Sequence, residues 1–199
     1  MAFSADELFD LLDENGRPTG ETKPRALVHR DGDRHGASHI FVLRRTPDGP
    51  EVLLQRRSRK KDSFPGCLDT SSAGHLNAGD TFEEAAYREL EEELGVRRED
   101  LPPEGLRFLF FYHNEYQMEF YDRIFRDNEI EAVYMVELDH PADWFKPEKE
   151  EIEEVLWMPV REVRHRLDLT QEELLEKIRA GEEEICIVPE EFRKLVEYL

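Results

Sequence analysis

Apolar positions change their spacing several times along this chain, and each change predicts an element. Leu8-Phe9-Asp10-Leu11-Leu12 reads as a short strand closed by the turn residues Asp13-Glu14-Asn15-Gly16. The stretch 22–28 is helical or irregular and leads to His29, with His35 and His39 following. Residues 40–43 and 52–54 flank Thr46-Pro47-Asp48-Gly49-Pro50 and read as a hairpin. Between Thr81 and Gly95 the spacing turns helical: at 100° per residue, Tyr87, Leu90 and Leu94 fall within about 60° of one another. Asp80 or Thr81 can cap this helix, with Glu83 or Glu84 placed for a capping box, and Gly95 ends it. After the break at Pro102-Pro103-Glu104-Gly105, segments 106–112, 118–125 and 130–138 read as strands, with a hairpin turn at Asn114-Glu115. Segment 153–158 is a further strand, and Pro159 starts a helix through Leu167. Two helical segments, 171–180 and 189–199, flank the apolar run Ile185-Cys186-Ile187-Val188. Hairpins mixed with longer helices predict an α/β fold, a mixed sheet covered on both faces.

The helix that ends at Gly95 has a second face that is not apolar. Glu89, Glu92 and Glu93 share an arc of about 100°, away from the buried stripe. Like charges spaced this way repel by a few tenths of a kcal/mol per pair when exposed. Mg²⁺ or Mn²⁺ removes that cost, because hard cations take oxygen ligands and bridge to phosphates. The competing reading is a solvated acidic face in a glutamate-rich protein.

Composition narrows the classes of partner. The 199 residues carry a formal charge of −20, so nucleic-acid backbone binding is not expected. An anionic substrate then needs metal ions or local basic residues, and Arg56, Arg57, Arg59, Lys60 and Lys61 form the densest positive cluster. Two cysteines, Cys67 and Cys186, cannot make a disulfide scaffold. The chain shows no secretory signal or apolar run of spanning length, and the expectation is a cytoplasmic protein without a membrane partner.

Gly74, Arg88, Glu89, Leu90, Glu92, Glu93, Gly95 and Val96 stand in the register of the Nudix hydrolase signature, which this stretch resembles. One position departs: Asp80 stands where the pattern has glutamate, keeping the carboxylate one methylene shorter. The resemblance implies a Nudix-type α/β/α sandwich with a mixed β-sheet, one domain over 1–199 with its core at about 8–167 and a C-terminal helical extension at 168–199. It implies a metal-dependent hydrolase of a diphosphate bond in a small nucleotide-like or cofactor-like substrate. Glu89, Glu92, Glu93 and the Gly74 carbonyl become the ligands of Mg²⁺ (or Mn²⁺). Glu92, Glu93 and Glu129 become the catalytic candidates, with Asp80 and Arg88 as structural support. Arg57 and Lys61 are the candidate contacts to the substrate diphosphate, and a homodimer is left open.

A closer resemblance is to the subfamily of isopentenyl-diphosphate isomerase. It rests on Leu54-Gln55-Arg56-Arg57-Ser58, Lys61-Asp62, Pro65-Gly66 and Gly74-His75, and on His29, His35 and the pair Asp127/Glu129 as similar to that enzyme's further metal ligands. That leaves His29, His35, His39 and His75 open between polar loop residues and ligands of a second, softer metal. The isomerase has its essential cysteine immediately before Gly-His; here Ala73 stands there, and Cys67 lies six residues upstream. Alanine can neither give nor take a proton, so hydrolysis is expected in place of isomerisation. The alternatives are an isomerase-like enzyme and a non-catalytic nucleotide- or metabolite-binding protein.

Overall fold

The computed structural model describes residues 7–199. Its centre is a seven-stranded mixed sheet, built on β3 (His35–Thr46), β4 (Gly49–Arg57), β7 (Arg107–Phe120), β8 (Arg123–Glu137) and β9 (Ile152–Pro159), with the short β5 (Leu68–Asp69) and β6 (Ser72–His75). β3 and β8 run parallel, with His35 opposite Glu129 and Leu43 opposite Glu137; the other pairings are antiparallel. Along one edge β3 changes partner. Residues 43–46 pair with β4, whereas residues 37–40 pair with β6. A separate hairpin, β1 (Leu8–Leu12) and β2 (Pro18–Pro24), leads into the helix α1 (Arg25–Asp31).

Strand alternation sends side chains to two cores. Ile40, Val42, Leu53, Ala132 and Tyr134 meet Ala86, Leu90 and Leu94 of the helix α2 (Phe82–Leu94) on one face. Phe41, Leu43, Leu54, Val133 and Met135 face the other way, against Val163 of α3 (Val160–Arg166), Leu174 of α4 (Gln171–Ala180) and Phe192 of α5 (Pro189–Val196). The sheet is thus covered on both faces, and segment 168–199 contributes directly to the second core. α2 starts with a capping box between Thr81 and Glu84 and ends at Gly95 in the left-handed conformation. Leu90 is fully buried under this helix. Leu90→Ala is expected to lower unfolding stability by about 2–5 kcal/mol, read as a lower midpoint in urea.

Two expectations are corrected. Asn114 and Glu115 do not turn the chain but lie within β7, opposite Glu129 and Asn128. The turn comes at Tyr121 and Asp122, both with positive φ (50° and 60°), so 118–125 is a hairpin tip rather than one strand. Residues 22–24, expected to open a helical or irregular stretch, instead join 18–21 in β2, which forms by pairing with β1.

Candidate active site

The inward positions of β3 and β8 change character along their length. On β3 the face that carries Phe41 and Leu43 continues as His39, Ala37 and His35; on β8 the face of Val133 and Met135 continues as Glu131, Glu129 and Asp127. A core face thereby ends in buried imidazoles and carboxylates, beside the fork where β6 replaces β4. A cavity of about 320 Å³ opens there, and Glu89, Glu92 and Glu93 of α2 line it together with Gly74, His75, Asp127 and Glu129.

Gly74 is where the signature loop and the helix meet. A Cβ at this position would overlap the Glu89 carboxylate, so glycine makes room for that side chain against β6. Arg88 binds the Glu89 carboxylate, donates to the His75 carbonyl at 2.9 Å and reaches Asp80 at 3.3 Å. Asp80 in turn accepts from the Asn77 amide at 3.2 Å, so the shorter side chain still ties the loop to the helix. Burial, reinforced by the neighbouring Glu93 charge, pushes the Glu89 carboxyl up to about 8. Glu92 lies at the more exposed edge of this face, 3.8 Å from Arg88.

Glu93 is held from several sides. Its Oε2 accepts from Ser72 Oγ at 2.9 Å, the Ala73 amide at 3.0 Å and Gln55 Nε2 at 3.3 Å. Its Oε1 lies 3.9 Å from Lys61 Nζ, which also donates to Glu151 at 2.7 Å. Burial raises the Glu93 carboxyl above its ordinary range, with Lys61 opposing. Arg57 pairs with Asp69 at 2.8 Å and donates to the Ser63 carbonyl. Lys61 and Arg57 both line the cavity, each already bound to a carboxylate.

The histidines from α1, β3 and β6 converge with the acidic pair of β8. One nitrogen or oxygen from each of His29, His35, His75 and Glu129 lies within 4.8 Å of every other. His35 Nδ1 is 3.0 Å from the Asp33 carbonyl, which can only accept, so that nitrogen carries a proton and Nε2 is the atom that would ligate a metal in the neutral ring. His35 Nε2, His29 Nε2 and Asp127 Oδ1 are buried without hydrogen-bond partners. His35 Nε2 lies 3.3 Å from Glu129 Oε1, and His29 and His35 each lie 3.8 Å from Asp127. Neighbouring ligands about 3 Å apart and opposite ones about 4 Å apart are what bonds of about 2.1 Å produce around one ion. The donor set therefore fits a divalent metal, with imidazole favouring a softer ion than the glutamates of α2. His75 differs: its Nδ1 faces Arg25 at 3.3 Å, a donor, so its Nε2 proton points to Glu129 at 2.9 Å. Burial would raise Glu129, but His35 and His75 outweigh it and hold the carboxyl well below its ordinary range. Burial and then the Glu129 charge push Asp127 up to about 8.

The structure thus brings the sequence candidates of α2, Gly74, Arg57, Lys61 and Glu129 around one cavity, with Asp80 and Arg88 supporting its wall. Glu115, Glu119 and Glu151 are the other glutamates that the sequence offers for the late role of Glu129; Glu115 and Glu119 are exposed, whereas Glu151 lines the cavity and accepts from Lys61. Sequence reading missed Asn114, Glu131, Gln171 and Glu191, which line the cavity floor. Glu131 was within reach, two residues after Glu129 on one strand; the misplaced turn at Asn114 hid the register.

Comparison with known proteins identifies the family and the fold. The NUDIX domain family model matches residues 33–178. "Nudix hydrolase 3" of Arabidopsis thaliana is 44% identical over 165 residues, 82% of this chain, but the chain spans only 20% of that protein's length. An uncharacterized Nudix hydrolase of Listeria monocytogenes is 32% identical, covering 74% of this chain and 83% of its own. The bovine "Isopentenyl-diphosphate Delta-isomerase 1" is 31% identical over 92% of this chain and 78% of that protein. A crystal structure from Deinococcus radiodurans aligns with a TM-score of 0.62 at 22% identity, over 81% of this chain and 88% of that one, a likeness of fold. No helix among the described residues is long and apolar enough to cross a membrane.

Proposed function

Since this chain belongs to the NUDIX family, we propose that it hydrolyses a diphosphate bond in a small nucleotide-like or cofactor-like molecule, using Mg²⁺ or Mn²⁺. The observation that carries this reading is the opening of three helical glutamates, His75, Asp127 and Glu129 onto one cavity. Glu89, Glu92, Glu93 and the Gly74 carbonyl would hold the catalytic ion. When bound, that ion supplies charge neutralisation at the phosphate oxygens, the main requirement of phosphoryl transfer. His29, His35, Asp127 and Glu129 would hold a second, softer ion.

The protein's own groups divide the remaining work. Glu93 is fixed by Ser72, Ala73 and Gln55 on one oxygen, and burial raises its proton affinity, which suits it to accept a proton from water. Glu129 already meets two imidazoles and serves better as a ligand. Lys61 and Arg57 lie where a diphosphate enters, and either can exchange part of its carboxylate contact for a phosphate oxygen. The test is a panel of nucleotide and cofactor diphosphates offered to chelator-stripped protein with Mg²⁺ or Mn²⁺ restored. Metal-dependent release of phosphate or a monophosphate is expected from at least one member; none from any member with either ion would contradict the reading.

The likeness to the bovine isomerase and the histidine cluster favour a second reading, isomerisation of isopentenyl diphosphate. It fails on one side chain. Moving a double bond needs one group to deliver a proton and another to remove one. Ala73 offers neither, and Cys67 packs with Phe64 and Met118 instead. Incubation with isopentenyl diphosphate in deuterated water, with Mg²⁺ and reduced flavin, is expected to leave dimethylallyl diphosphate undetectable by NMR. Deuterium in that product at an enzymatic rate would restore the isomerase.

A further inference from the structure

Below the histidine centre, the floor of the cavity holds a group of side chains that the proposed hydrolysis does not use. His39 stands on the inward face of β3 beyond His35 and Ala37, Glu131 follows Glu129 on that of β8, and Glu191 reaches His39 from α5. We propose that His39, Glu129 and Glu131 bind a further divalent cation, with Glu129 shared between this ion and the histidine centre and Glu191 completing the donor set. The inference rests on the reading of His29, His35, Asp127 and Glu129 as a metal centre.

Four observations carry it. One ligand atom from each of His39, Glu129 and Glu131 lies within 4.8 Å of the others, so a single ion can touch all three. His39 Nδ1 is 2.9 Å from Glu191 Oε1 and 3.8 Å from Glu131 Oε2, the spacings of a neighbouring and a nearly opposite ligand in a shell with bonds of about 2.1 Å. Glu131 is fully buried, lines the cavity beside the Asn114 side chain, and neither of its oxygens has a partner in good hydrogen-bond geometry; Glu191 Oε2 is buried and unpartnered as well. Buried carboxylates are ordinarily satisfied, and unpartnered oxygens on two carboxylates that both face His39 ask for a cation.

The charge count agrees. Asp127, Glu129, Glu131 and Glu191 are four buried carboxylates within one cluster, and His39 meets both Glu131 and Glu191. As a ligand His39 is a neutral imidazole and offsets none of that charge. Two divalent ions, one here and one at the histidine centre, offset all four carboxylates and turn an acidic floor into one that admits an anionic oxygen of a substrate. The ligands, one imidazole with carboxylates, suit Mn²⁺ or Zn²⁺. The competing occupant is a proton on Glu131, which leaves the floor without a metal.

The full chain, stripped with chelator, reconstituted with Mn²⁺ and freed of loose ion, is the material for the test. Bound Mn²⁺ per chain is counted by mass spectrometry, and the spin state is read by electron paramagnetic resonance. The comparison is between wild type, Glu131→Gln, His39→Ala, His35→Ala and Glu89→Gln, each checked for folding by circular dichroism. Glu131→Gln is expected to lose one equivalent of Mn²⁺ and the signal of an exchange-coupled pair, while Glu89→Gln keeps that signal. His39→Ala is expected to do the same and stands in if Glu131→Gln does not fold. Equal Mn²⁺ content in wild type and both floor variants overturns the proposal and indicates a proton in place of the metal. His35→Ala reports separately on the neighbouring centre: unchanged content there overturns that reading and the shared ligand with it.

Discussion

Glu93→Gln is expected to lower metal-dependent hydrolysis by about 10²–10⁴-fold while leaving the protein folded. Glutamine has the shape of glutamate, and its carbonyl can keep the bonds from Ser72, Ala73 and Gln55. The amide then takes the place of Oε1 and faces Lys61, a cation, without the charge that paired with it. The variant thus loses both a ligand for the ion and a proton acceptor, with little lost packing. Steady-state kinetics on the best member of the diphosphate panel, with melting temperature and Mn²⁺ affinity, check this. Turnover equal to wild type would remove Glu93 from the chemistry.

Gly74→Ala is expected to be nearly as damaging for a steric reason. The backbone of Gly74 does not need the left-handed region; the constraint is the Glu89 carboxylate occupying the space of a Cβ. Either Glu89 swings out and leaves Arg88, or β6 shifts away from Ser38 of β3 and takes Ala73 and His75 with it. A displacement of about 1 Å at such a site costs about 10²-fold in rate. The melting temperature should fall too. Adding Glu89→Ala to Gly74→Ala should recover stability but not turnover, because the clash goes and the ligand goes with it. No recovery in the double variant would mean the two residues do not interact as described.

What could be read in the sequence was what local chemistry encodes. The helix at 82–94 carries its own start in Thr81 and Glu84, its own stop in Gly95, and an apolar stripe at Leu90 and Leu94, so its stop was legible and its start was narrowed to Asp80 or Thr81. Its glutamates followed. β2 was not legible, because Pro18–Pro24 has no apolar pattern and becomes a strand only by pairing with β1. The long hairpin of β7 and β8 was misread for a related reason. Tyr121 and Asp122 carry no glycine to announce a positive-φ turn, while Asn114-Glu115 has the composition of one. That error left Asp127 and Glu129 between two expected strands, so the pair was named but its continuation to Glu131 on the same strand face was not seen. The basic residues show a different limit. Charge density at Arg57 and Lys61 was plain, but their partners Asp69 and Glu151 come from elsewhere in the chain and are fixed only by the fold.

The cost of the site is visible in the same terms. Carboxylates on an inward strand face give up hydration that apolar residues would not have needed, so they persist there only with cations to meet them. Hydrolysis of an anionic diphosphate by a chain of charge −20 makes the same demand from the substrate side.

The central claim, water attack on a diphosphate supported by the glutamates of α2, is tested most directly by isotope. Turnover of the best panel substrate in ¹⁸O-labelled water with Mn²⁺ should place one ¹⁸O in a phosphate-bearing product, and Glu93→Gln should slow that labelling by about 10²–10⁴-fold. Product without ¹⁸O, or labelling at the wild-type rate in Glu93→Gln, would contradict it.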